Sequence, residues 1–154
     1  MSDDVTMETS SPEETQRLGA ELATELSCGD VVALTGDLGS GKTCLIQGIC
    51  CGLSVNDYVN SPTFVLINEY EGTLGGEPLK VYHLDLYRLA GRSELEDLGV
   101  EEYFYGQGIC LVEWADRAED LLPQQRRDVE LEYLGGDKRR VTVKHIVFRS
   151  APSD

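Results

Sequence analysis

The chain lacks any apolar run long enough to cross a membrane, so the sequence predicts no membrane-spanning helix. Its first ten residues are polar and acidic, and we expect no signal peptide there. None of the five cysteines forms a C-x-x-C pair of the zinc-binding kind, and reduced thiols in a cytoplasmic protein are the simplest interpretation. The sequence contains no repeat and no low-complexity tract, and 154 residues suit one domain better than two.

Positive charge is also scarce, because 13 Lys and Arg stand against 28 Asp and Glu, a formal net charge of −15. Residues 1–125 carry 23 acidic and 6 basic side chains, whereas residues 126–154 carry 5 acidic and 7 basic ones. A body this acidic should repel a phosphate backbone, which argues against direct binding of nucleic acid. The C-terminal cluster could form a local basic patch, although we favour a solvated hairpin; it contains Arg126, Arg127, Lys138, Arg139 and Arg140.

The most informative feature that is present is a glycine-rich loop, GDLGSGKT at residues 36–43, which fits the phosphate-binding pattern G-x-x-x-x-G-K-[ST]. An apolar run, 31–34, precedes it and a helix-like run, 44–53, follows, which is the strand–loop–helix order that the motif requires. In such loops backbone N–H groups surround a phosphate, and the next helix adds the positive end of its dipole. We therefore predict that Lys42 reaches terminal phosphates and that Thr43 offers its hydroxyl to Mg²⁺. The alternative is a glycine-rich turn before an ordinary helix.

Local patterns predict an α/β fold of the P-loop NTPase type, a three-layer sandwich with a mixed, mostly parallel central sheet. A single domain is expected over 11–148, with flexible ends at 1–10 and 149–154. Turns are expected at Gly72, at 75–76 and at 135–136. The predicted helices cover 12–27, 43–53, 93–104 and 116–122, and the predicted strands cover 31–35, 64–70, 80–89, 108–113, 129–134 and 140–147.

Two carboxylates are candidates for chemistry at this loop. Magnesium needs a further oxygen ligand, usually an acid at the end of a neighbouring apolar strand, and Glu113 ends such a run, although it could simply begin the next turn. Asp85 lies within an apolar strand, where an unpaired carboxylate is costly. It either pairs with Arg88 or His83 or points into the site, and we favour the site. His83 itself is expected to be structural.

Other features narrow the class of nucleotide and reaction. Trp114, the only tryptophan, is either a core residue or a lid over the nucleotide. No Asn-Lys-x-Asp motif is present, so the usual guanine-recognition element is missing and adenine is favoured. Only Arg88, Arg92 and Arg117 lie between the loop and the C-terminal cluster, which gives little support to the arginine-rich lid of a small-molecule kinase. A kinase and a non-catalytic nucleotide-binding docking module remain the alternatives to a hydrolase.

Five motifs occur in order within about residues 11–134: GDLGSGKT (36–43), SPT (61–63), YHLDLYRL (82–89), ELEDLG (94–99) and ICLVEW (109–114). Together they resemble the bacterial TsaE (YjeE) family, small ATPases required for the N6-threonylcarbamoyladenosine (t6A) modification of tRNA. Members act with TsaD, the threonylcarbamoyl transferase, and with TsaB, its paralogous partner. The resemblance implies ATP and Mg²⁺ as cofactors, TsaD and TsaB homologues as partners, and tRNA reached only indirectly through that complex.

The resemblance also implies roles for individual residues. Ser61 and Thr63 would face the terminal phosphate from a switch-like segment, and Asp85 would position or activate the attacking water. Trp114 would respond to nucleotide, and the adenine would lie near Pro12. Hydrolysis is expected to be slow until partner docking completes the electrostatic cage. The ATP phosphates would be surrounded by Leu38, Gly39, Ser40, Gly41, Lys42 and Thr43, with Mg²⁺ held by Thr43 and Glu113.

Overall fold

The computed structural model describes residues 4–37, 39–57, 59, 67–87, 89, 92–118 and 120–146. The strands are β1 (Val5–Thr9), β2 (Val31–Thr35), β3 (Ile67–Leu74), β4 (Glu77–Asp85), β5 (Ile109–Glu113), β6 (Arg126–Gly135) and β7 (Lys138–Ile146). The helices are α1 (Pro12–Ala23), α2 (Lys42–Gly52), α3 (Arg92–Leu98), α4 (Val100–Phe104) and a 3-10 turn at Ala115–Ala118.

The strands form one seven-stranded mixed sheet in the order β1-β7-β6-β2-β5-β4-β3. Strand β2 is central and runs parallel to both β5 and β6, and β4 runs parallel to β5. The expected hairpins are confirmed as the antiparallel pairs β3–β4 and β6–β7. The prediction of a mostly parallel sheet was wrong, because the two hairpins and β1 make half of the pairings antiparallel.

The predicted layering rests on alternation along the central strand. Val32 and Leu34 belong to an apolar cluster with α1 and α2. Val31 and Ala33 belong to a second cluster, which includes residues of α3, α4 and the 3-10 turn. Helices therefore cover both faces of the sheet, which matches the expected α/β sandwich. In the described part of the chain, no helix combines the length and the apolar character needed to cross a membrane.

Helices α1 and α2 approach each other closely, and this contact fixes the glycine loop. A Cβ atom on Gly48 would collide with the backbone carbonyl of Gln16, so only glycine allows the helices to be so near. Helix α1 begins at a predicted cap, where the Ser11 hydroxyl accepts from the N–H of Glu14 at 3.1 Å. As a result the first turn of α1 lies beside α2, and the Cys44 thiol donates to the Pro12 carbonyl.

Several predicted boundaries were wrong. Residues Val5–Thr9, expected to be flexible, form β1 and pair with β7. The helix expected over 93–104 is divided at Gly99, which has a φ of 70°. Gly72, expected in a turn, lies inside β3, where a Cβ would meet the Leu53 carbonyl. Helix α1 ends at 23 rather than 27, β4 spans 77–85 rather than 80–89, and a 3-10 turn at 115–118 replaces the helix over 116–122.

Candidate nucleotide-binding site

The glycine loop connects the carboxyl end of β2 to the N-terminus of α2, as the motif requires. Gly36 has a φ of 144° and lies against the Leu131 carbonyl, so a side chain here would be strained and would collide. Gly41, with a φ of 102°, is the residue that caps α2. The loop therefore leads into the N-terminus of α2, and a helix N-terminus is a favourable environment for an anion.

Lys42 is folded over its own loop. Its ammonium donates to the Gly36 carbonyl at 2.6 Å and to the Asp37 carbonyl at 3.0 Å. It also lies 4.2 Å from the centre of the Trp114 ring, a cation–π contact. Burial lowers the pKa of this lysine, while the nearby carboxylates, Glu113 first among them, oppose that shift. A buried ammonium folded over a glycine-rich loop is a candidate for binding a phosphate.

Thr43 and Glu113 meet as predicted for a cation site. The Thr43 hydroxyl lies 3.1 Å from one carboxylate oxygen of Glu113 and 3.2 Å from the other. Oε2 of Glu113, the oxygen at 3.2 Å, also accepts from Nε2 of His83 at 2.6 Å. His83 is fully buried. His83 Nδ1 in turn lies 3.3 Å from the hydroxyl of Tyr70 on β3. His83 thus contacts Glu113 rather than serving as the partner considered for Asp85.

Asp85 points into the site, as we favoured. Its carboxylate accepts from the N–H of Tyr87 at 3.0 Å and lines the same cavity as Lys42, Thr43 and Glu113. Burial raises the pKa of Asp85, and the Tyr87 N–H partly offsets that rise. A carboxylate with a raised pKa at the edge of a polar cavity is a candidate for holding a water molecule or accepting its proton.

Trp114 lies between the second apolar cluster and the cavity. Its side chain is half-buried and packs against the second apolar cluster, while it also lines the cavity. Its ring lies 4.8 Å from the Tyr87 ring, and the Arg117 guanidinium lies 5.9 Å from it. The backbone φ of 58° at Trp114 is uncommon for a bulky residue and directs the ring across Lys42.

The cavity has a volume of about 310 Å³. Its lining consists of Gly39, Gly41, Lys42, Thr43, Cys44, Asp85, Tyr87, Glu113 and Trp114. One hydroxyl and one carboxylate in contact fit Mg²⁺, which usually takes few protein ligands and keeps water and phosphate oxygens as the rest. Among the described residues, no group of three or more His, Cys, Asp or Glu side chains is arranged to hold a metal ion.

The remaining predicted site residues have different outcomes. Ser40 is fully buried in the loop, with its hydroxyl 3.4 Å from the Lys42 ammonium. Pro12 lies beside the cavity through its contact with Cys44 but does not line it. Leu38, Ser61, Thr63 and Arg88 lie outside the described residues.

Arg139 is a residue near the site that sequence reasoning missed. Its Nε lies 3.6 Å from the position that a Cβ on Gly41 would take, and its guanidinium donates to the Gly136 carbonyl at 2.7 Å. That Nε is buried and has no hydrogen-bond partner among the described residues. No local signal indicates this placement, because it depends on β7 returning beside β6 and the loop. Other members of the basic cluster instead pair with carboxylates, as Arg126, Arg127 and Arg140 do with Asp128, Glu25 and Glu132.

Comparison with known proteins shows the family to which this chain belongs. The family described as "Threonylcarbamoyl adenosine biosynthesis protein TsaE" matches residues 9–141. The tRNA threonylcarbamoyladenosine biosynthesis protein TsaE of Bacillus subtilis is 46% identical over 134 residues, 87% of this chain and 81% of its own. The protein of the same name from Treponema pallidum is 38% identical over 86% of this chain and 95% of its own. The crystal structure of Bacillus subtilis YdiB superposes with a TM-score of 0.80 at 37% identity, over 96% of this chain and 88% of that one. The chain therefore belongs to the TsaE family.

Proposed function

We propose that this protein is a P-loop ATPase required for t6A modification of tRNA, and that it acts by binding and hydrolysing Mg-ATP on a complex of TsaD and TsaB homologues. The observation that carries the proposal is the meeting of Lys42, the Thr43–Glu113 pair and Asp85 around one cavity at the end of β2. The names of the relatives support the pathway, since each is a tRNA threonylcarbamoyladenosine biosynthesis protein.

Binding would use the loop and the first turn of α2. Backbone N–H groups after Gly39 would donate to the phosphates, and the Lys42 ammonium would exchange its two loop carbonyls for phosphate oxygens. Arg139 would add a second positive charge from the β7 side, with its Nε free to donate. Mg²⁺ held by Thr43 and Glu113 would neutralise charge on the triphosphate.

Hydrolysis would depend on Asp85. Its carboxylate lies at the cavity wall and, with its raised pKa, suits the orientation of a water molecule toward the terminal phosphate. Thr63 is the other residue that we propose near that phosphate. Few positively charged side chains among the described residues lie near the cavity. We therefore propose that docking to the TsaD–TsaB complex supplies the missing stabilisation of the transition state and accelerates ATP hydrolysis.

The charge of the chain supports an indirect role toward tRNA. A formal net charge of −15 opposes contact with a polyanion, and Arg126, Arg127 and Arg140 are already paired with carboxylates. We therefore propose that TsaD and TsaB homologues hold the tRNA while this chain contacts them.

The test is the rate of ATP hydrolysis by this protein alone and with its TsaD–TsaB complex. We expect a slow rate alone and a rise of at least about tenfold with the complex, because partner-supplied groups complete such sites. An unchanged rate would contradict the partner-dependent part of the proposal. Transfer of phosphate to a metabolite rather than to water would favour a kinase instead.

A further inference from the structure

His83 is a fully buried polar side chain to which the proposed mechanism gives no task. It lies on β4 and points to the α1–α2 side of the sheet, two residues before Asp85 and diagonally across from Glu113 on β5. Both of its ring nitrogens are within hydrogen-bond distance of a partner, Glu113 on one side and Tyr70 on the other. A buried imidazole needs such partners in any fold, so these contacts alone do not separate a structural role from a functional one.

The direction of the hydrogen bonds separates the two roles. A carboxylate oxygen only accepts, so Nε2 of His83 donates to Glu113 Oε2, at 2.6 Å. On the other side of the ring, Nδ1 lies 3.3 Å from the Tyr70 hydroxyl, whose oxygen also accepts from the side-chain amide of Asn68 at 3.3 Å. The contacts therefore run from β3 through β4 and end on the carboxylate.

This arrangement holds the Glu113 carboxylate by one oxygen. A ring N–H that donates to Oε2 fixes the rotation of the carboxylate plane of Glu113. The Thr43 hydroxyl lies about equally far from both oxygens, 3.1 Å from Oε1 and 3.2 Å from Oε2, and Oε1 is the oxygen that the imidazole does not contact. Carboxylates that ligate metals are generally oriented by a hydrogen bond of this kind, and removing the donor weakens metal affinity.

We propose that His83 is a positioning residue for the cation site: its Nε2–H, oriented by Tyr70, holds Glu113 in the rotation that presents Oε1 to a divalent cation beside Thr43. The inference rests on the proposed function, since it concerns the cation that accompanies the nucleotide there. His83 contacts neither phosphate nor water and acts only through Glu113.

Two substitutions separate the hydrogen bonds on the two sides of the ring. The amide nitrogen of glutamine stands as many bonds from the backbone as His83 Nε2, so His83→Gln keeps a donor toward Glu113. The amide of asparagine reaches only as far as Nδ1, so His83→Asn keeps a group beside Tyr70 and loses the donor to Glu113. A matched control is Val81→Ala, which removes buried apolar contacts on the same face of β4 and no hydrogen bond.

The first measurement is the affinity for Mn²⁺ in the presence of ADP, obtained from the electron paramagnetic resonance signal of the free ion. The second is the affinity for ADP in the presence of a metal chelator, obtained by calorimetry. We expect His83→Asn to weaken Mn²⁺ binding by about tenfold to a hundredfold, with ADP affinity in chelator unchanged. His83→Gln should stay within about threefold of the unsubstituted protein, and Val81→Ala should lower the melting temperature without changing Mn²⁺ affinity.

Unchanged Mn²⁺ affinity in folded His83→Asn would overturn the inference, as would equal losses in the Asn and Gln variants. If His83→Asn does not fold, Tyr70→Phe serves, since it removes one hydroxyl and keeps the ring; we expect Mn²⁺ affinity to fall about fivefold, and no change would overturn the inference. Failure of the unsubstituted protein to bind either ADP or Mn²⁺-ADP would instead contradict the proposed function.

Discussion

Thr43 and Glu113 stand 70 positions apart in the chain, and the hydroxyl of the first lies 3.1 Å from the carboxylate of the second. Their contact joins the first turn of α2 to the end of β5, two elements that both lie next to β2. A hydroxyl and a carboxylate held this closely, next to a loop of the phosphate-binding pattern, support the magnesium site that we propose.

The hydroxyl of Thr43 can be removed without changing the shape of the residue. Thr43→Val should weaken the Mg²⁺-dependent part of ATP binding by at least about tenfold, whereas Thr43→Ser, which keeps the hydroxyl, should retain it. Calorimetric titrations of ATP at several Mg²⁺ concentrations measure this. Equal Mg²⁺ dependence in the two variants would show that the hydroxyl is not a ligand.

Asp85→Asn keeps the size of the side chain and removes its capacity to accept a proton. We expect turnover with the TsaD–TsaB complex to fall by about 10²- to 10⁴-fold while Mg-ATP still binds, because a general base acts in the reaction more than in binding. Single-turnover hydrolysis with labelled ATP measures the change, and the exposed Asp97→Asn on α3 is the control. Full t6A formation in cells that carry an Asp85→Asn protein without turnover would favour the non-catalytic docking module.

The raised pKa of Asp85 has a consequence for stability as a function of pH. Since the folded state binds this proton more readily than the unfolded state, Asp85 lowers the free energy of unfolding once pH exceeds its unfolded pKa. That penalty is greatest above the raised folded pKa and disappears as Asp85 becomes protonated at lower pH. Asp85→Asn should therefore raise the melting temperature at pH 7 and lose that advantage near pH 3. A gain of the same size at both pH values would assign it to packing instead.

Arg139 should affect nucleotide binding although the three other arginines of its cluster, Arg126, Arg127 and Arg140, are paired with carboxylates. Arg139→Ala should weaken Mg-ATP binding by about tenfold, because it removes a charged donor beside the loop. Arg140→Ala is the matched control, since its guanidinium already pairs with Glu132 at 3.1 Å on the exposed face of the hairpin. Equal losses in the two variants would point to a general effect of charge rather than to a contact by Arg139.

The parts of the site that were predictable are those encoded in consecutive residues. The glycine loop is encoded by spacing, and α1 by the Ser11–Pro12 start that the structure confirms. Glu113 was predictable because a single acid ends a buried strand. In each case the residues that form the pattern and the element that it predicts lie within about ten residues of each other in the sequence. The prediction therefore needed no knowledge of strand order.

The parts that were not predictable depend on strand order. The sequence places His83 and Asp85 on one face of β4, but only the parallel pairing of β4 with β5 brings Glu113 diagonally across from His83. Strand β1 is short and mostly exposed, and it becomes a strand through pairing with β7, 130 to 138 positions away. Arg139 reaches the loop for the same reason, since β7 returns to the sheet after β6.

The most direct test of the account is a calorimetric titration of Mg-ATP into the folded protein, compared with Lys42→Ala and Lys80→Ala. Lys80, on β4, serves as the control because it too lies beside a carboxylate, pairing with Glu69 at 2.9 Å. Unlike Lys42, it is exposed and lies far from the glycine loop along the strand. We predict saturable binding of one nucleotide per chain, weakened about tenfold to a hundredfold by Lys42→Ala and unchanged by Lys80→Ala. Absence of binding by the folded protein, alone and with its TsaD–TsaB complex, or full affinity in Lys42→Ala, would contradict it.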